Sequence, residues 1–267
     1  MFLFDTSYLI RGKSFKFSDY ITIHNPTVGE VLEFGEAKYD SLISRITSVP
    51  WDKKTRLWFY ENGMDFENIN AFDYFCMQVS SLTVDESRII FGDLNFLELE
   101  LLKDSSNETY LRQGDILIDN LSYEVISDFI RKINYISLPE KPKYGSEHAK
   151  KYRLGIELDK LKSDIRNSKN INKSESSLLL SISGLVNSPG GNYTYGNVMD
   201  LKISQFHDAV LRKQRIKHSD EFLTDYYAGI ACASAYGGKS IMEDKNQEEI
   251  DWLGSLFVRQ KLVGNIT

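Results

Sequence analysis

Residues 174–230 have the sequence SESSLLLSISGLVNSPGGNYTYGNVMDLKISQFHDAVLRKQRIKHSDEFLTDYYAGI, and this stretch decides the predicted fold. Residues 178–186 are apolar on several sides, which predicts a deeply buried helix. Pro189 and the two glycines after it cannot continue a helix, so a short loop follows. An apolar helix that ends in a tight loop is typical of packed helices.

The second part of this stretch predicts another helix that packs against the first. Asn197 is placed to cap a helix that runs through about residue 217. Asp208 and Arg212 form an i, i+4 pair on its outer side, and Ser219 begins a short aromatic helix. The apolar residues of the long helix form one stripe: Met199, Ile203, Phe206 and Val210. The C-terminal half is therefore predicted to be a helical bundle.

The composition of the whole chain is that of a folded protein. Its 267 residues are 42% hydrophobic and 12% aromatic, which is enough for one large or two ordinary domains. We predict a mainly α fold with a small β element (α+β). Its parts are an extended N-terminal arm over residues 1–24, a helical domain with a small β-hairpin over residues 25–138, and a helical bundle domain over residues 146–267.

The first predicted domain begins with a clear helix signal. Thr27 and Glu30 form a capping box, and apolar residues at helical spacing continue to Ile46 as one helix. Gly35 occupies one place on the apolar face, which suggests a closely packed neighbour. Asn70 is a candidate cap of a further helix, and residues 94–119 predict a hairpin or three-stranded sheet.

The charge distribution limits the classes of partner that the chain is expected to bind. Residues 1–140 have 13 Lys and Arg against 23 Asp and Glu, and residues 141–267 have 19 against 15. The resulting balances of −10 and +4 give no strongly basic domain, so nucleic acid is not expected as a partner. No apolar run is long enough to span a membrane, and the N-terminus lacks the basic start of a signal peptide. Two distant cysteines indicate buried thiols in a reducing compartment rather than a disulfide framework.

One local match points to phosphate chemistry. The segment from Ala233 to Ser240, with Lys239 before the serine, fits the permissive pattern of a phosphate-binding loop. Such a loop normally follows a buried strand and opens a helix, whereas here an aromatic helix precedes it. We therefore treat it as a surface loop, with nucleotide binding as the alternative.

Other chemistry has no local signature. The four histidines form no metal-binding pair, and neither cysteine has the surroundings of an activated nucleophile. The sequence thus predicts no catalytic residue, no metal ion and no cofactor. Candidate protein-contact residues are instead the apolar and aromatic residues of the arm and loop and the basic cluster: Phe2, Phe4, Tyr8, Tyr193, Tyr195, Arg212, Lys213, Arg215 and Lys217. The arm residues would pack either on their own domain as an edge strand or on a neighbouring molecule.

Two segments resemble a known family. Residues 21–46 begin ITIHNPTVGE, which resembles the I-H-x-P-T-[IV]-G-E opening of a family of proteins from tailed bacteriophages of Gram-positive hosts. The second half, with NSPGGNYTYGNVMDLKISQFHD and the closing EEIDWLGSL, resembles the same family. Together the matched text covers about a quarter of the chain.

The resemblance implies a tail or baseplate morphogenesis protein with no recognised catalytic residue. Two classes then compete. The first is a non-enzymatic assembly chaperone or structural component that contacts other tail or baseplate proteins, or itself as a homo-oligomer, in the host cytoplasm or the virion tail. The alternative is a nucleotide- or DNA-handling phage replication enzyme that uses residues 233–240.

Overall fold

The computed structural model describes residues 4, 6–104, 108–168, 176–188 and 192–236, with the backbone alone at 220–222, 225 and 227–236. The chain divides into two units, Met1–Lys213 and Gln214–Thr267. All of the packing described below belongs to the first unit.

The described part of the chain is mainly helical with a small amount of sheet, as predicted. The helices are α1 Thr6–Ile10, α2 Val28–Phe34, α3 Glu36–Thr47, α4 Lys53–Glu61, α5 Ala71–Val79, α6 Val84–Phe91, α7 Asn120–Ile133, α8 Glu147–Ser168, α9 Ser177–Val186, α10 Tyr195–Met199 and α11 Ile203–Tyr236. The strands are β1 Phe15–Lys16, β2 Thr22–Ile23, β3 Glu100–Lys103, β4 Thr109–Gln113 and β5 Ile116–Ile118. Short 3-10 helices occupy Phe66–Asn68 and Phe96–Glu98.

The strands form two small antiparallel sheets. One pairs β1 with β2, and the other has the order β3-β4-β5. In the second sheet Leu111 lies opposite Ile118, and both side chains are buried. This sheet falls within residues 94–119, so the prediction of a three-stranded element there is confirmed.

Helix caps follow the sequence signals closely. The Thr27 hydroxyl accepts a hydrogen bond from the Glu30 amide at 3.1 Å, and the Glu30 carboxylate accepts one from the Thr27 amide at 2.6 Å. Asn70 caps α5 by accepting from the Asp73 amide at 2.6 Å. These side chains satisfy amides that the first helical turn leaves free. Both capping predictions are confirmed.

Gly35 breaks the helix that was predicted to be continuous. The chain there has φ 99° and ψ 119°, so α2 ends and α3 starts at a new angle. A Cβ at this position would meet only the Lys38 side chain, at 3.9 Å. The glycine is therefore required by its backbone conformation and not, as expected, by a closely packed neighbour.

The N-terminal segment differs from the extended arm that we expected. It forms α1 and the short β1–β2 hairpin, and it packs on its own chain. Phe4 is 4% exposed, with ring centroids 4.7 Å from Phe15 and 5.0 Å from Phe129 of α7. Burial of these aromatic rings favours the packed conformation over the extended strand that their alternation in the sequence suggested.

A backbone pairing joins the two halves of the first unit. The Val28 amide donates to the Leu201 carbonyl at 2.9 Å, and the Ile203 amide donates to the Pro26 carbonyl at 2.8 Å. Thr27 and Lys202 form the antiparallel bridge between these bonds. We call these two paired segments, residues 26–28 and 201–203, the seam.

Buried side chains extend the seam to the N-terminus. The Asn25 amide nitrogen donates to the Ser204 hydroxyl at 2.8 Å, and that hydroxyl donates to the Leu9 carbonyl at 2.9 Å. Asn25 and Ser204 are each 1% exposed. One hydrogen-bonded chain thus holds together α1, α11 and the segment that precedes α2.

The seam places one main core across the predicted domain boundary. Buried residues from the N-terminal helices and from α9, α10 and α11 belong to the same hydrophobic cluster. The segment at 138–146 therefore does not separate two cores, and the structure divides the chain at Lys213 instead. The expected division into 25–138 and 146–267 is corrected because long-range packing joins these segments.

Helix α8 packs on α4 around a second, smaller core. Lys150 of α8 donates to Asp65 at 2.8 Å and to Glu67 at 2.7 Å, and it lies 5.2 Å from the centre of the Phe66 ring. Burial alone would lower the pKa of Lys150, but the two carboxylates outweigh it and hold this pKa above its ordinary value. The members of the smaller core are Leu57, Phe59, Phe66 and Leu154.

Two general expectations concern cysteines and membranes. Cys76 is buried, and burial raises the pKa of its thiol to about 12, which makes it unreactive. The Cys232 side chain lies outside the described residues. Among the helices of the described part, none combines the length and apolar character needed to cross a bilayer.

Gly35 and Gly184 provide a matched test of the helix break. Replacing Gly35 by Ala should lower the free energy of unfolding by about 1–3 kcal/mol, because a non-glycine residue is strained at this φ. Replacing Gly184 within α9, where a Cβ meets nothing, should instead raise it by up to about 1 kcal/mol. Chemical denaturation of both variants measures the difference, and equal stability of G35A and the parent would contradict this account.

Candidate functional site

Helix α9 exposes apolar side chains on the face that points away from the core. Leu178, Ile182 and Leu185 are 8%, 1% and 2% exposed and pack inward. Leu179 and Leu180 are 52% and 53% exposed. The prediction that this helix is deeply buried is therefore correct for one stripe and wrong for the other.

No charged residue occurs in the ten residues of α9, SLLLSISGLV. The solvent face of a surface helix usually carries charged side chains. Here that face has two leucines, serines and a glycine. We call the exposed Leu179 and Leu180 with the neighbouring Ser183 and Gly184 the α9 face, and its composition is that of a protein-contact surface.

Glu36, at the start of α3, anchors the N-terminus of α9. Its carboxylate accepts hydrogen bonds from the Leu178 amide at 2.9 Å, from the Ser177 hydroxyl at 3.0 Å and from the Ser176 hydroxyl. The carboxylate also sits at the positive end of the α9 dipole. Burial would raise the pKa of Glu36, but these donors outweigh it and lower the pKa below its ordinary value.

A cleft of about 410 Å³ lies beside α9, between α3 and the start of α11. Ser177 and Ser181 line it from α9, and Tyr39 lines it from α3. The Tyr39 hydroxyl donates to the Asn134 side chain at 2.8 Å. Tyr39 and Asn134, which both line the cleft, are therefore bonded to each other.

His207 and Asp40 give the cleft its electrostatic character. Burial lowers the pKa of His207 to about 4, so the imidazole is neutral near pH 7. Burial and the neighbouring Glu36 charge raise the pKa of Asp40 above its ordinary value. The His207 ring lies 5.9 Å from the ring of Tyr135, which has an unusual φ of 55°.

These groups do not form a recognisable catalytic pair. A nucleophile needs a base within hydrogen-bond reach. In the described part of the chain, His207 makes no hydrogen bond to a serine or a carboxylate. No cluster of His, Cys, Asp and Glu among the described residues could hold a metal ion.

The loop tyrosines have different environments. Tyr195 is 54% exposed at the start of α10, whereas Tyr193 is half-buried and packs against the main core. Thr194 caps α10 by accepting from the Asn197 amide at 3.3 Å. Asn197 is therefore inside α10 and not the cap of the long helix, which begins at Ile203.

The basic cluster lies within a long helix and not at a helix end. Helix α11 continues to Tyr236, past the predicted end near residue 217, because the segment after Ser219 continues the same helix. Arg212 is exposed and pairs with Asp208 at 2.6 Å, as predicted. The other predicted contact residues, Lys213, Arg215 and Lys217, follow on the same helix.

The arm residues are not available as a contact surface in the expected way. Phe4 is buried in the main core, and Tyr8 is half-buried with its ring centroid 5.6 Å from that of Phe4. Phe2 lies outside the described residues. The segment that suggested a neighbouring molecule thus completes the core of its own chain.

The phosphate-loop match is only partly described. The backbone from Ala233 to Tyr236 is the end of α11, and residues 237–240 lie outside the described part. A phosphate loop would instead begin as a turn that follows a strand. Nucleotide binding by this segment stays a hypothesis.

Sequence reasoning missed the α9 face and its anchor. Leu179, Leu180, Glu36 and His207 were not among the candidate residues. One signal was present, since ten consecutive residues without a charge are unusual for a helix with an exposed face. The position of Glu36 could not be foreseen, because its partners lie 140 or more positions away.

The Glu36 anchor predicts a specific stability effect. Glu36→Gln should lower the free energy of unfolding by about 1–2 kcal/mol near neutral pH, because charge-assisted hydrogen bonds to α9 are weakened. The matched control is Glu33→Gln on the exposed side of α2, which should have little effect. Folding lowers the pKa of Glu36. The contribution of Glu36 to stability is therefore fully present at a pH above its ordinary pKa, and it is lost as the pH falls through its pKa in the folded protein. A gap between E36Q and the parent that does not shrink in acid would contradict the anchor.

The buried imidazole of His207 predicts a second dependence of stability on pH. The unfolded chain takes up a proton at His207 near the ordinary value of 6.5, whereas the folded chain does so only at about 4. The parent should therefore lose stability as the pH falls through this window, by at least about 1 kcal/mol from this residue. His207→Gln removes that loss. The free energy of unfolding of the parent minus that of the variant, measured by denaturation at several pH values, should therefore fall as the pH falls. Parallel curves would show that the imidazole is not held neutral.

Comparison with known proteins identified no relative of this chain. No protein-family model matches the chain, and no curated protein or solved structure matches it either.

Proposed function

We propose that this chain is a non-enzymatic tail or baseplate protein of a tailed bacteriophage. It acts through protein–protein contacts in virion morphogenesis, as an assembly chaperone or as a structural component. The observation that carries the contact role is the α9 face, where Leu179 and Leu180 are more than half exposed on a helix without charge. Burial of such a face against a partner is favourable, whereas its exposure to water is costly.

The assignment to phage tails rests on the sequence resemblance. In the structure, the two resembling segments meet at the seam, since IHNPTVGE contains residues 26–28 and DLKISQF contains residues 201–203. This contact gives a physical reason for both motifs to occur in one chain.

The cleft beside α9 supports binding over catalysis. Glu36 is engaged at the α9 N-terminus and Tyr39 is hydrogen-bonded to Asn134. The neutral His207 ring and the serines at the rim add a polar border to an apolar surface. A polar border around an apolar centre is the usual arrangement of protein interfaces.

Deletion of the gene from the phage that encodes it tests this proposal. We expect infected cells to make phage DNA and heads but few complete tails in electron micrographs. Normal tails with a loss of DNA synthesis would contradict the proposal and favour a replication enzyme. Mass spectrometry of purified particles then separates the two forms of the proposal, because a structural component remains in the virion and a chaperone does not.

Complementation of that deletion tests the α9 face itself. Replacing Leu179 and Leu180 by Asp should leave the fold intact, because both side chains are largely exposed, but should prevent rescue of tail assembly. The matched control makes the same replacement at Leu97 and Leu101, which are 54% and 57% exposed near the small sheet. This control variant should rescue tail assembly. Rescue by both variants, with circular dichroism showing both folded, would remove the α9 face from the account.

A further inference from the structure

Helix α7 buries a guanidinium whose hydrogen-bond partners, among the described residues, are all neutral. Arg131 is 8% exposed. Its Nε and Nη2 donate to the Thr47 carbonyl at 3.2 and 2.7 Å, and its Nη1 donates to the Ser127 hydroxyl at 3.0 Å. Arg131 forms no salt bridge with any carboxylate among the described residues.

This charge is only partly compensated. Thr47 is the last residue of α3, so its carbonyl belongs to the negative end of that helix dipole. A helix end carries about half of an elementary charge, whereas the guanidinium carries a full one. A guanidinium also has more N–H donors than the three bonds use. Buried charges are normally paired, so Arg131 has capacity for an anion.

A second buried polar residue, Tyr123, lines the same cleft as Arg131. The Tyr123 hydroxyl is buried on a residue that is 1% exposed, and within the described part of the chain it makes no hydrogen bond of normal geometry. Tyr123 and Arg131 line one cleft of about 460 Å³. Burial is the largest effect on the pKa of Tyr123 and raises it, while the charge and polar contact of Arg131 and the polar contact of Ser127 act in the opposite direction. The hydroxyl therefore keeps its proton and is a donor.

The remaining walls select the ligand. Val49, Trp51 and Leu138 give the cleft an apolar side. Two carboxylates also line it, but each has its own partner: Asp128 pairs with Lys132 at 2.8 Å, and Glu124 accepts from the Asn120 side chain at 3.2 Å. Lys132 compensates the charge of Asp128, whereas the neutral Asn120 side chain leaves the charge of Glu124 in place. This remaining charge opposes a dianion such as phosphate more strongly than a monoanion, and a monoanion with an apolar body also suits the apolar side of the cleft.

We propose that this cleft binds a small organic carboxylate, whose oxygens accept hydrogen bonds from Arg131 and Tyr123 while its apolar body packs against Trp51 and Val49. Carboxylate is the planar anion that a guanidinium fork matches in shape. The site is separate from the α9 face and does not depend on the phage assignment.

Straight-chain carboxylates from acetate to hexanoate test the proposal on the full chain. Calorimetric titration should show binding that tightens by up to about fourfold for each added methylene. Hexanamide, which has the same body without the charge, should not bind. Binding of hexanamide as strong as that of hexanoate, or binding of inorganic phosphate without binding of hexanoate, would overturn the proposal.

Tyr123→Phe provides the decisive variant. Because the hydroxyl makes no hydrogen bond of normal geometry in the described part of the chain, the variant should be at least as stable as the parent and should bind hexanoate about tenfold more weakly. Tyr39→Phe is the matched control, since it removes the hydroxyl of another buried tyrosine that bonds to Asn134, and it should bind hexanoate like the parent despite lower stability. Unchanged affinity in Y123F, or a loss of its stability, would overturn the role of this hydroxyl.

Discussion

The seam between residues 26–28 and 201–203 is the constraint on which the rest of the fold depends. Two backbone hydrogen bonds of 2.8 and 2.9 Å join segments about 175 positions apart. Helix α2 begins at Val28 and α11 at Ile203, so the seam fixes where both helices start. The Asn25 and Ser204 side chains extend it to α1, and the N-terminus is thereby held in the core.

The seam also positions the α9 face. Glu36 follows α2 by way of the Gly35 break, and its carboxylate holds the N-terminus of α9. His207 follows the seam on α11 and closes the neighbouring cleft. A surface without charge is thus supported by a rigid frame, which reduces the entropy that binding a partner would cost.

Local features of the fold were predictable from sequence, and long-range ones were not. Thr27 and Asn70 cap their helices through contacts three residues away, so a short pattern contained all of the information. The short sheet was found in the same way. The break at Gly35 looked like a packing position, because periodicity reports which face a residue occupies and not its φ. Phe4 was a candidate for contact with a neighbouring molecule, and its burial against Phe129 was not predictable because the two residues are distant in sequence.

The candidate site was harder to predict for the same reason. Leu179 and Leu180 belong to an apolar run, and a run alone does not tell which of its residues remain in water. The ion pair of Arg212 with Asp208 was predicted correctly. The helix that contains this pair, however, continues past Ser219, where a new helix was expected. Arg131 and Tyr123 gave no signal, since an unpaired buried group is defined only by what surrounds it.

Native-state hydrogen exchange of the Val28 and Ile203 amides tests the central role of the seam most directly. If the seam closes a single core, both amides should open only with global unfolding, with the same free energy as amides in the middle of α3. Exchange of the Ile203 amide at a free energy more than about 2 kcal/mol below that value would show that the two halves open independently, and it would contradict the account.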